Sequence, residues 1–331
     1  MRVTQNSGSS SYLRTLEDIQ YSKNQTEKRL YTGNDLLSLS DDPKRLIISK
    51  QVTTLIDRNK TFNNNIESGL SELRATSDVI DAITGNIDTM KQLAIDATTT
   101  GNSTSLSSLA VYVKGLLNDI IGNANSEFSG KYLFSGTKTT ADSINPVEDM
   151  NNRYPFELVQ GDATEDNPSG LKVIFKGNFE EKVINKNSTS TEVINTNAKE
   201  VFGENGTEVF EQIISLYNTL AYNSDGTLRG DNTTFTQEDF NRLNIANQKI
   251  SQLQDKMYNV SARNGSRINR LGAISLQMTE ENTRLKEYRS LQADTDVASS
   301  AIKLSQDETA LNYALQVGSR LIQQTLFDFL S

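Results

Sequence analysis

The final stretch of the chain, about 35 residues long, carries the feature that most limits how it can fold. Small and apolar side chains recur there at steps of four and three residues, with one polar interruption at Glu308. These positions are Val297, Ala301, Leu304, Leu311, Leu315, Gly318, Ile322 and Leu326. The spacing places them on one stripe of a helix that packs lengthwise against another helix. Because such a stripe is rarely left uncovered, the sequence predicts a partner for this helix.

A similar stripe opens the chain. The same alternation of four and three connects Tyr12, Leu16, Ile19, Lys23, Thr26 and Leu30. Lys23 and Thr26 are polar, so this helix depends on packing for its stability. Two weak terminal helices with one period can pair as an antiparallel coiled coil. Two ordinary amphipathic helices on a globular core would produce the same pattern.

Composition narrows the class of protein. A length of 331 residues suggests about two domains. Only 35% of the residues are hydrophobic and the mean hydropathy is −0.51, which is typical of an elongated helical protein. The net charge is −9 and the basic residues are scattered, so we expect neither nucleic acid nor a membrane surface as a partner. No apolar run reaches the roughly 18 residues of a membrane span.

The residue types that are absent from the sequence limit its chemistry. There is no His, no Cys and no Trp. This excludes Ser–His and Cys–His nucleophiles and any metal site built from nitrogen or sulfur ligands. The acidic residues are spread along helical segments without clustering. We therefore expect no enzymatic activity, no cofactor and no metal site.

Start and stop signals divide the chain into long helices. The first helix is predicted over about residues 10–32, and Ser40-Asp41-Asp42-Pro43 is a start signal for a second over 44–98. A third is expected over 104–126. A further helix of 57 residues, up to about residue 292, would span on the order of 85 Å. Asp294-Thr295-Asp296 is predicted to cap the last helix.

The middle of the chain has a different character. Short β-type runs are predicted at residues 156–159, 171–175, 182–184 and 191–194, followed by a helix around 209–220. The predicted fold class is mainly α: an elongated antiparallel helical rod or coiled coil of N- and C-terminal segments, with a central β-rich inserted domain. We predict three domains: a terminal helical assembly region (1–40 with 293–331), a rod (41–135 with 235–292) and a β-rich outer insert (136–234).

Three segments resemble a known family. Residues 29–33 (RLYTG) and 40–43 (SDDP) resemble the "LSSGKR…SDDP" region of the flagellin superfamily. Residues 130–139 (GKYLFSGTKT) resemble the "GxYLFSGxKT" segment of its hook–filament junction branch, the family of flagellar hook-associated protein 3. The last helix, from Asp294, is also similar to that family. The resemblance covers about residues 1–140 and 235–331 and does not extend to the insert.

Two branches of the superfamily must be separated. Flagellins usually have Ala after the paired aspartates and an "FNGKKLLDG"-like segment, whereas this chain has Pro43 and YLFSG. Both differences favour the junction branch. The segment 279–282 (TEEN) instead resembles flagellin C-terminal helices, so a filament subunit stays the alternative. A secreted coiled-coil protein or adhesin unrelated to flagella is a third reading.

The resemblance implies an extracellular structural protein of the bacterial flagellum. Such proteins form a short ring between the first hook-associated protein and the filament, on which flagellin polymerises. They are exported by the flagellar type III apparatus without a cleaved signal peptide, and a cytoplasmic chaperone covers the C-terminal helix beforehand. The polar start of this chain, which has no apolar signal segment, agrees with that route.

The terminal stripes suggest how assembly would work. Ordering a helix costs roughly 1–2 kcal/mol of backbone entropy per residue, and the thin stripes offset little of it. We therefore predict that both ends are disordered in the monomer and fold when subunits pack. The predicted assembly interface consists of Leu16, Ile19, Leu30, Leu304, Leu311, Leu315 and Ile322. Glu308 and Gly318, the weak positions, are expected to keep the last helix open until assembly.

Overall fold

The computed structural model describes residues 2–100, 103–145, 153–230 and 236–330, with side chains from 10–98, 106–145, 153–230 and 236–320. Helices make up 69% of the chain. The chain divides into a terminal unit, Met1–Lys60 with Thr279–Ser331, and a central unit, Thr61–Met278. Across the described ranges, no helix combines the length and the apolar character that crossing a membrane requires.

The long predicted helices are present. The helices are α1 (Arg2–Thr32), α2 (Pro43–Thr100), α3 (Ser103–Ala124), α4 (Ala141–Ile144), α5 (Ala198–Phe202), α6 (Glu208–Ala221), α7 (Gln237–Ala293) and α8 (Val297–Leu330). The α2 and α7 helices, with 58 and 57 residues, contribute to both units. The mainly α fold class is confirmed. The short α4 and α5 were not predicted, because four or five residues are too few to show a helical period.

The predicted helix starts are built by capping side chains. Asp42 accepts a hydrogen bond from the Arg45 amide at 3.0 Å, and α2 begins at Pro43. Asp296 accepts from the Ser299 amide at 3.1 Å at the start of α8. In both cases a carboxylate next to the helix dipole satisfies an amide that has no partner within the helix.

The strands form three antiparallel pairs. They are β1 (Glu127–Phe128), β2 (Lys131–Tyr132), β3 (Phe156–Gln160), β4 (Leu171–Phe175), β5 (Val183–Asn185) and β6 (Thr191–Val193), paired β1–β2, β3–β4 and β5–β6. The four predicted β runs correspond to β3–β6. The β1–β2 pair was not predicted, since two-residue strands carry no readable alternation.

The insert shares a core with the long helices of the central unit. Phe156 of β3 lies with its ring centroid 4.9 Å from Phe202 of α5 and 5.5 Å from Phe210 of α6. These rings join one hydrophobic cluster with buried side chains of α2, α3 and α7, such as Ile87 and Leu253. Burying several aromatic rings accounts for a large part of the stability of such a core. The division of the chain into three domains stays a prediction.

Candidate functional site

The helices α1 and α8 pair in the terminal unit. The Tyr12 hydroxyl donates a hydrogen bond to the Ala314 carbonyl at 2.8 Å, and the Ser22 hydroxyl donates to Asp307 Oδ2 at 2.9 Å. As residue numbers rise along α1, those of their partners fall along α8, so the two helices are antiparallel. The first helix of the chain, α1, is therefore the partner of the C-terminal helix α8.

The covered face of α1 is the face that the sequence predicts. Thr26 is buried, and the other five members of the stripe are half-buried: Tyr12, Leu16, Ile19, Lys23 and Leu30. The alternation of four and three residues was therefore a sufficient guide to the orientation of this helix.

The covered face of α8 is rotated from the predicted stripe. Its buried and half-buried positions are Ser300, Leu304, Asp307, Ala310, Leu311, Ala314 and Gly318. Leu304 and Leu311 lie on this face as expected. Val297 and Leu315 are 62% and 51% exposed, so they flank the covered face. The Ile322 side chain lies outside the described residues.

The physical reason for the rotation is the pair of bonds from α1. Tyr12 bonds to the backbone at Ala314, and Ser22 bonds to Asp307, so these two positions face α1. The predicted stripe had instead placed Leu315 and Glu308 there, on the basis of apolar spacing. Whether the seven predicted residues form an interface between subunits is a separate question and stays a prediction.

The polar interruptions of the two stripes meet each other. Lys23 Nζ lies 3.4 Å from Glu308 Oε1, beside the bond between Ser22 and Asp307. The Lys23 and Glu308 side chains are 27% and 52% exposed, and an ion pair at such a site contributes at most about 1 kcal/mol. The charges therefore contribute little to the stability of the helix pair. Their main effect is to favour the register in which residues 22–23 of α1 face residues 307–308 of α8.

Gly318 allows the two helices to approach closely. A Cβ at this position would lie 2.1 Å from Tyr12 Oη and 2.7 Å from Tyr12 Cζ, well inside contact distance. The tyrosine ring thus occupies the space that a side chain would take. A position that weakens the apolar stripe in sequence is a tight contact in the structure.

A backbone clasp joins the far ends of this helix pair. The Asp35 amide donates to the Ala293 carbonyl at 2.7 Å, and the Thr295 amide donates to the Gly33 carbonyl at 2.9 Å. Arg45 reinforces the clasp: its Nε donates to the Gln292 carbonyl at 2.9 Å, and its Nη1 lies 3.0 Å from Asp35 Oδ2. The connection from α1 to α2 is thereby tied to the turn between α7 and α8.

The first family-like motif builds this clasp. Gly33 has φ +68°, a backbone conformation that favours glycine, where α1 ends. Asp41 accepts hydrogen bonds from the Ser38 and Leu37 amides at 2.8 and 2.9 Å. These bonds, with that of Ser38 the stronger influence, hold the pKa of the Asp41 carboxyl below its ordinary value. Residues 29–43 are therefore a structural joint.

The second motif, residues 130–139, is also structural. Phe134 is fully buried, and its carbonyl accepts a hydrogen bond from the Ala198 amide at 3.1 Å. Gly136 has φ +70°, and a Cβ there would lie 2.3 Å from the Asn178 carbonyl oxygen. The motif thus connects the end of α3 to the insert. In the described part of the chain, no three Asp or Glu side chains are grouped so that they could hold a metal ion.

Large apolar side chains on the outer surface of the helix pair were missed by the sequence reasoning. Leu13, Ile302, Tyr313 and Val317 are 56%, 62%, 64% and 52% exposed. They lie off the stripes, so a search for one apolar face passes over them. Tyr313 and Val317 are four residues apart on α8 and so adjoin each other, and exposed apolar side chains that adjoin are typical of a surface that another protein covers.

Comparison with known proteins agrees with this geometry. Residues 3–139 match the family model of the bacterial flagellin N-terminal helical region. The N-terminal part of the chain is therefore similar to that region of the flagellins. No curated protein matches this sequence.

Solved structures share the fold of this chain. One is a Vibrio parahaemolyticus protein described as flagellar hook-associated: identity 17%, TM-score 0.60, covering 76% of this chain and 99% of that one. Another is FlgL from Xanthomonas campestris: identity 14%, TM-score 0.54, covering 73% of this chain and 99% of that one. At these identities the likeness establishes the fold alone.

Proposed function

We propose that this chain is a structural, non-enzymatic subunit of the bacterial flagellum that joins the hook to the filament. It would form a ring on the first hook-associated protein and present the platform on which flagellin polymerises. The observation that carries this proposal is the α1–α8 pair, in which the facing leucines are only half-buried and large apolar side chains stay exposed. The likeness in fold to hook-associated proteins supports the junction branch.

The α1–α8 pair is suited to folding that is coupled to assembly. Leu16 and Leu304 are only half-buried, whereas Leu73 and Ile80 of the central unit are fully buried. Burial of apolar area contributes about 25 cal/mol per Å², so the pair alone offsets little of the entropy of ordering two helices. Contacts with neighbouring subunits would supply the remainder.

The same property fits export. A chain whose ends are unfolded before assembly can pass through a narrow secretion channel, and a cytoplasmic chaperone would cover the α8 segment until then. Such export would deliver the chain to an extracellular site on the flagellum.

Hydrogen exchange on the purified monomer tests the folding step. We expect amides of residues 300–320 to exchange almost as fast as an unfolded chain and to become protected in the assembled ring. Residues 66–90, in the central unit, serve as the internal reference and should be protected in both states. Strong protection of residues 300–320 in the monomer would refute coupled folding.

A flagellin filament subunit is the second candidate, and the match of residues 3–139 to the flagellin model favours it. Immunogold labelling of intact flagella separates the two. We expect label only at the boundary between hook and filament, and label along the filament would establish flagellin. Deletion of the gene should leave hooks without filaments and release flagellin monomer, whereas unchanged flagella would refute both readings and favour a non-flagellar secreted protein.

A further inference from the structure

The β5–β6 pair and its flanking residues lie across α2 and α7 in the central unit. We define residues 182–197 as the clamp, and we propose that it fixes the longitudinal register of α2 against α7. This gives part of the insert an internal structural function. The proposal is independent of the flagellar role and can be tested on the monomer.

The clamp is seated on α2 at Gly69. A Cβ at Gly69 would lie 2.7 Å from Ile194 Cγ2 and 3.4 Å from Ile184 Cδ1, so the clamp approaches the helix backbone as closely as glycine permits. Lys182 Nζ lies 2.5 Å from Glu72 Oε1, and both side chains are less than a fifth exposed. An apolar contact and an ion pair thus hold the clamp at one level of α2.

The clamp is held on α7 by two arginines. Arg267 Nη1 donates to the Asn195 carbonyl at 3.0 Å, and its Nη2 lies 3.1 Å from Glu200 Oε1, just beyond the clamp. Arg270 pairs with Glu192, whose side chain is 9% exposed. Hydrogen bonds in which one group is charged are stronger than neutral ones, and those to a backbone carbonyl also fix a position along the chain.

Asn264 connects all three elements. It is fully buried, and its Nδ2 donates to the Leu73 carbonyl of α2 at 2.9 Å. Its Oδ1 accepts from the Thr196 hydroxyl of the clamp at 3.3 Å. If α7 slid along α2, the Nδ2 and Oδ1 atoms of Asn264 would lose their hydrogen-bond partners while still buried among apolar side chains. This loss would destabilise the shifted register, whereas an apolar side chain at this position would not.

The contact between α2 and α7 needs a residue that fixes its register. Apolar side chains at near-heptad spacing would face apolar side chains again if one helix shifted by seven residues. A single buried asparagine is an established means of specifying register in coiled coils. The clamp also covers the apolar side chains of this region, which form a cluster separate from the main core: Ile66, Leu70, Leu73, Ile194, Leu271 and Met278. Register and coverage therefore depend on the same contacts.

The register can be read by introducing pairs of cysteines and joining them with a short bifunctional thiol reagent, because the natural chain has no cysteine. Such a reagent reaches across two helices whose backbones are too far apart for a direct disulfide. Ser261 donates to Asp81 at 3.2 Å, and Gln254 donates to Asp88 at 2.6 Å, so Asp81→Cys with Ser261→Cys reports the native register. Asp81→Cys with Gln254→Cys reports a shift of seven residues. Each pair is placed in the natural background and in a clamp variant carrying Gly69→Ala and Asn264→Leu.

We expect only the native pair to crosslink in the natural background. In the clamp variant the shifted pair should crosslink at least tenfold more than in the natural background, with helicity by circular dichroism retained. Exclusive native crosslinking in a helical clamp variant would overturn the proposal. If that variant does not fold, the single Gly69→Ala variant is used with Gly85→Ala as its control, since a Cβ at Gly85 meets nothing within 4 Å.

For the single variants, the urea midpoint and hydrogen exchange of the clamp decide the outcome. Gly85→Ala should raise the midpoint, because alanine favours helix over glycine. Gly69→Ala should lower it and speed exchange of residues 183–194 at least tenfold. Equal rises in midpoint for both variants, with unchanged exchange, would overturn the proposal.

Discussion

The buried ion pair between Arg229 and Asp239 makes the strongest single prediction about stability in the central unit. The two side chains are 0% and 2% exposed, and Arg229 Nη2 lies 2.9 Å from Asp239 Oδ1. Arg229 also donates to the Tyr222 carbonyl at 3.0 Å, while Asp239 accepts from the Thr236 amide at 3.0 Å. The pair therefore ties the segment after α6 to the first turn of α7.

Replacing Arg229 by methionine removes the cation and leaves the carboxylate buried. Breaking a buried pair from one side costs about 3–5 kcal/mol, because the remaining charge has lost both water and its main partner. Asp239 keeps only the more distant Arg242, whose Nη1 lies 3.8 Å from Oδ1. Since each 1.4 kcal/mol is a factor of ten, the unfolding equilibrium should shift by roughly two to four orders of magnitude. Combining Arg229→Met with Asp239→Leu should recover part of this loss, since the unpaired charge is removed but the Tyr222 carbonyl still lacks its donor.

Urea unfolding followed by circular dichroism and tyrosine fluorescence measures both effects. The exposed pair of Lys199 and Glu204, at 2.6 Å and with side chains 50% and 73% exposed, provides the control: Lys199→Met should cost less than about 1 kcal/mol. Equal losses for Arg229→Met and Lys199→Met would show that burial does not govern the cost. A double variant as unstable as the single would show that the loss comes from packing around Arg229 instead of the unpaired charge.

Two further predictions concern acid stability and the edge of β3. Burial raises the pKa of Asp239, but the hydrogen bonds from Arg229 and Thr236 outweigh it, so the pKa lies below its ordinary value of 3.8. The ionised Asp239 therefore stabilises the fold above about pH 4, and this stabilisation is lost as the pH falls through the folded pKa. Urea midpoints measured between pH 2 and 6 should fall less steeply with acidification for Asp239→Asn than for the natural chain. Asn125 pairs with both backbone groups of Phe156, at 2.8 and 2.9 Å, so Asn125→Leu should destabilise by roughly 1–3 kcal/mol in urea unfolding, and a change below about 0.5 kcal/mol would contradict this.

Elements specified by local chemistry were predictable from the sequence. The α2 start follows from Asp42 and Pro43 alone, and that of α8 from Asp296, because a cap acts within one helical turn. The β4 strand was located at its observed bounds because five residues of β-type side chains lie between turn signals. These features need no knowledge of what the element packs against.

Elements specified by distant residues were not predictable. The orientation of α8 depends on Tyr12 and Ser22, about 300 residues away in sequence, and the apolar spacing alone favoured the neighbouring stripe. The seat of the clamp depends on Gly69, which in sequence is only an unfavourable residue inside a helix. A glycine costs about 1 kcal/mol relative to alanine there, and that cost is the only local signal that something lies against it.

The α2–α7 and α1–α8 contacts share the same apolar spacing but differ in how completely their side chains are buried. Between α2 and α7 the seam is closed, with Leu73 and Met257 fully buried and Asn264 fixing its level. Between α1 and α8 the leucines remain half-buried, and the pair is matched mainly by Tyr12, Gly318 and exposed charges. The α2–α7 contact therefore stabilises the single chain. The α1–α8 contact fixes which residues of the two helices face each other but leaves apolar surface exposed. The C-terminal helix therefore matches its partner within the chain, and the apolar surface it leaves open is the surface that the proposed assembly would cover.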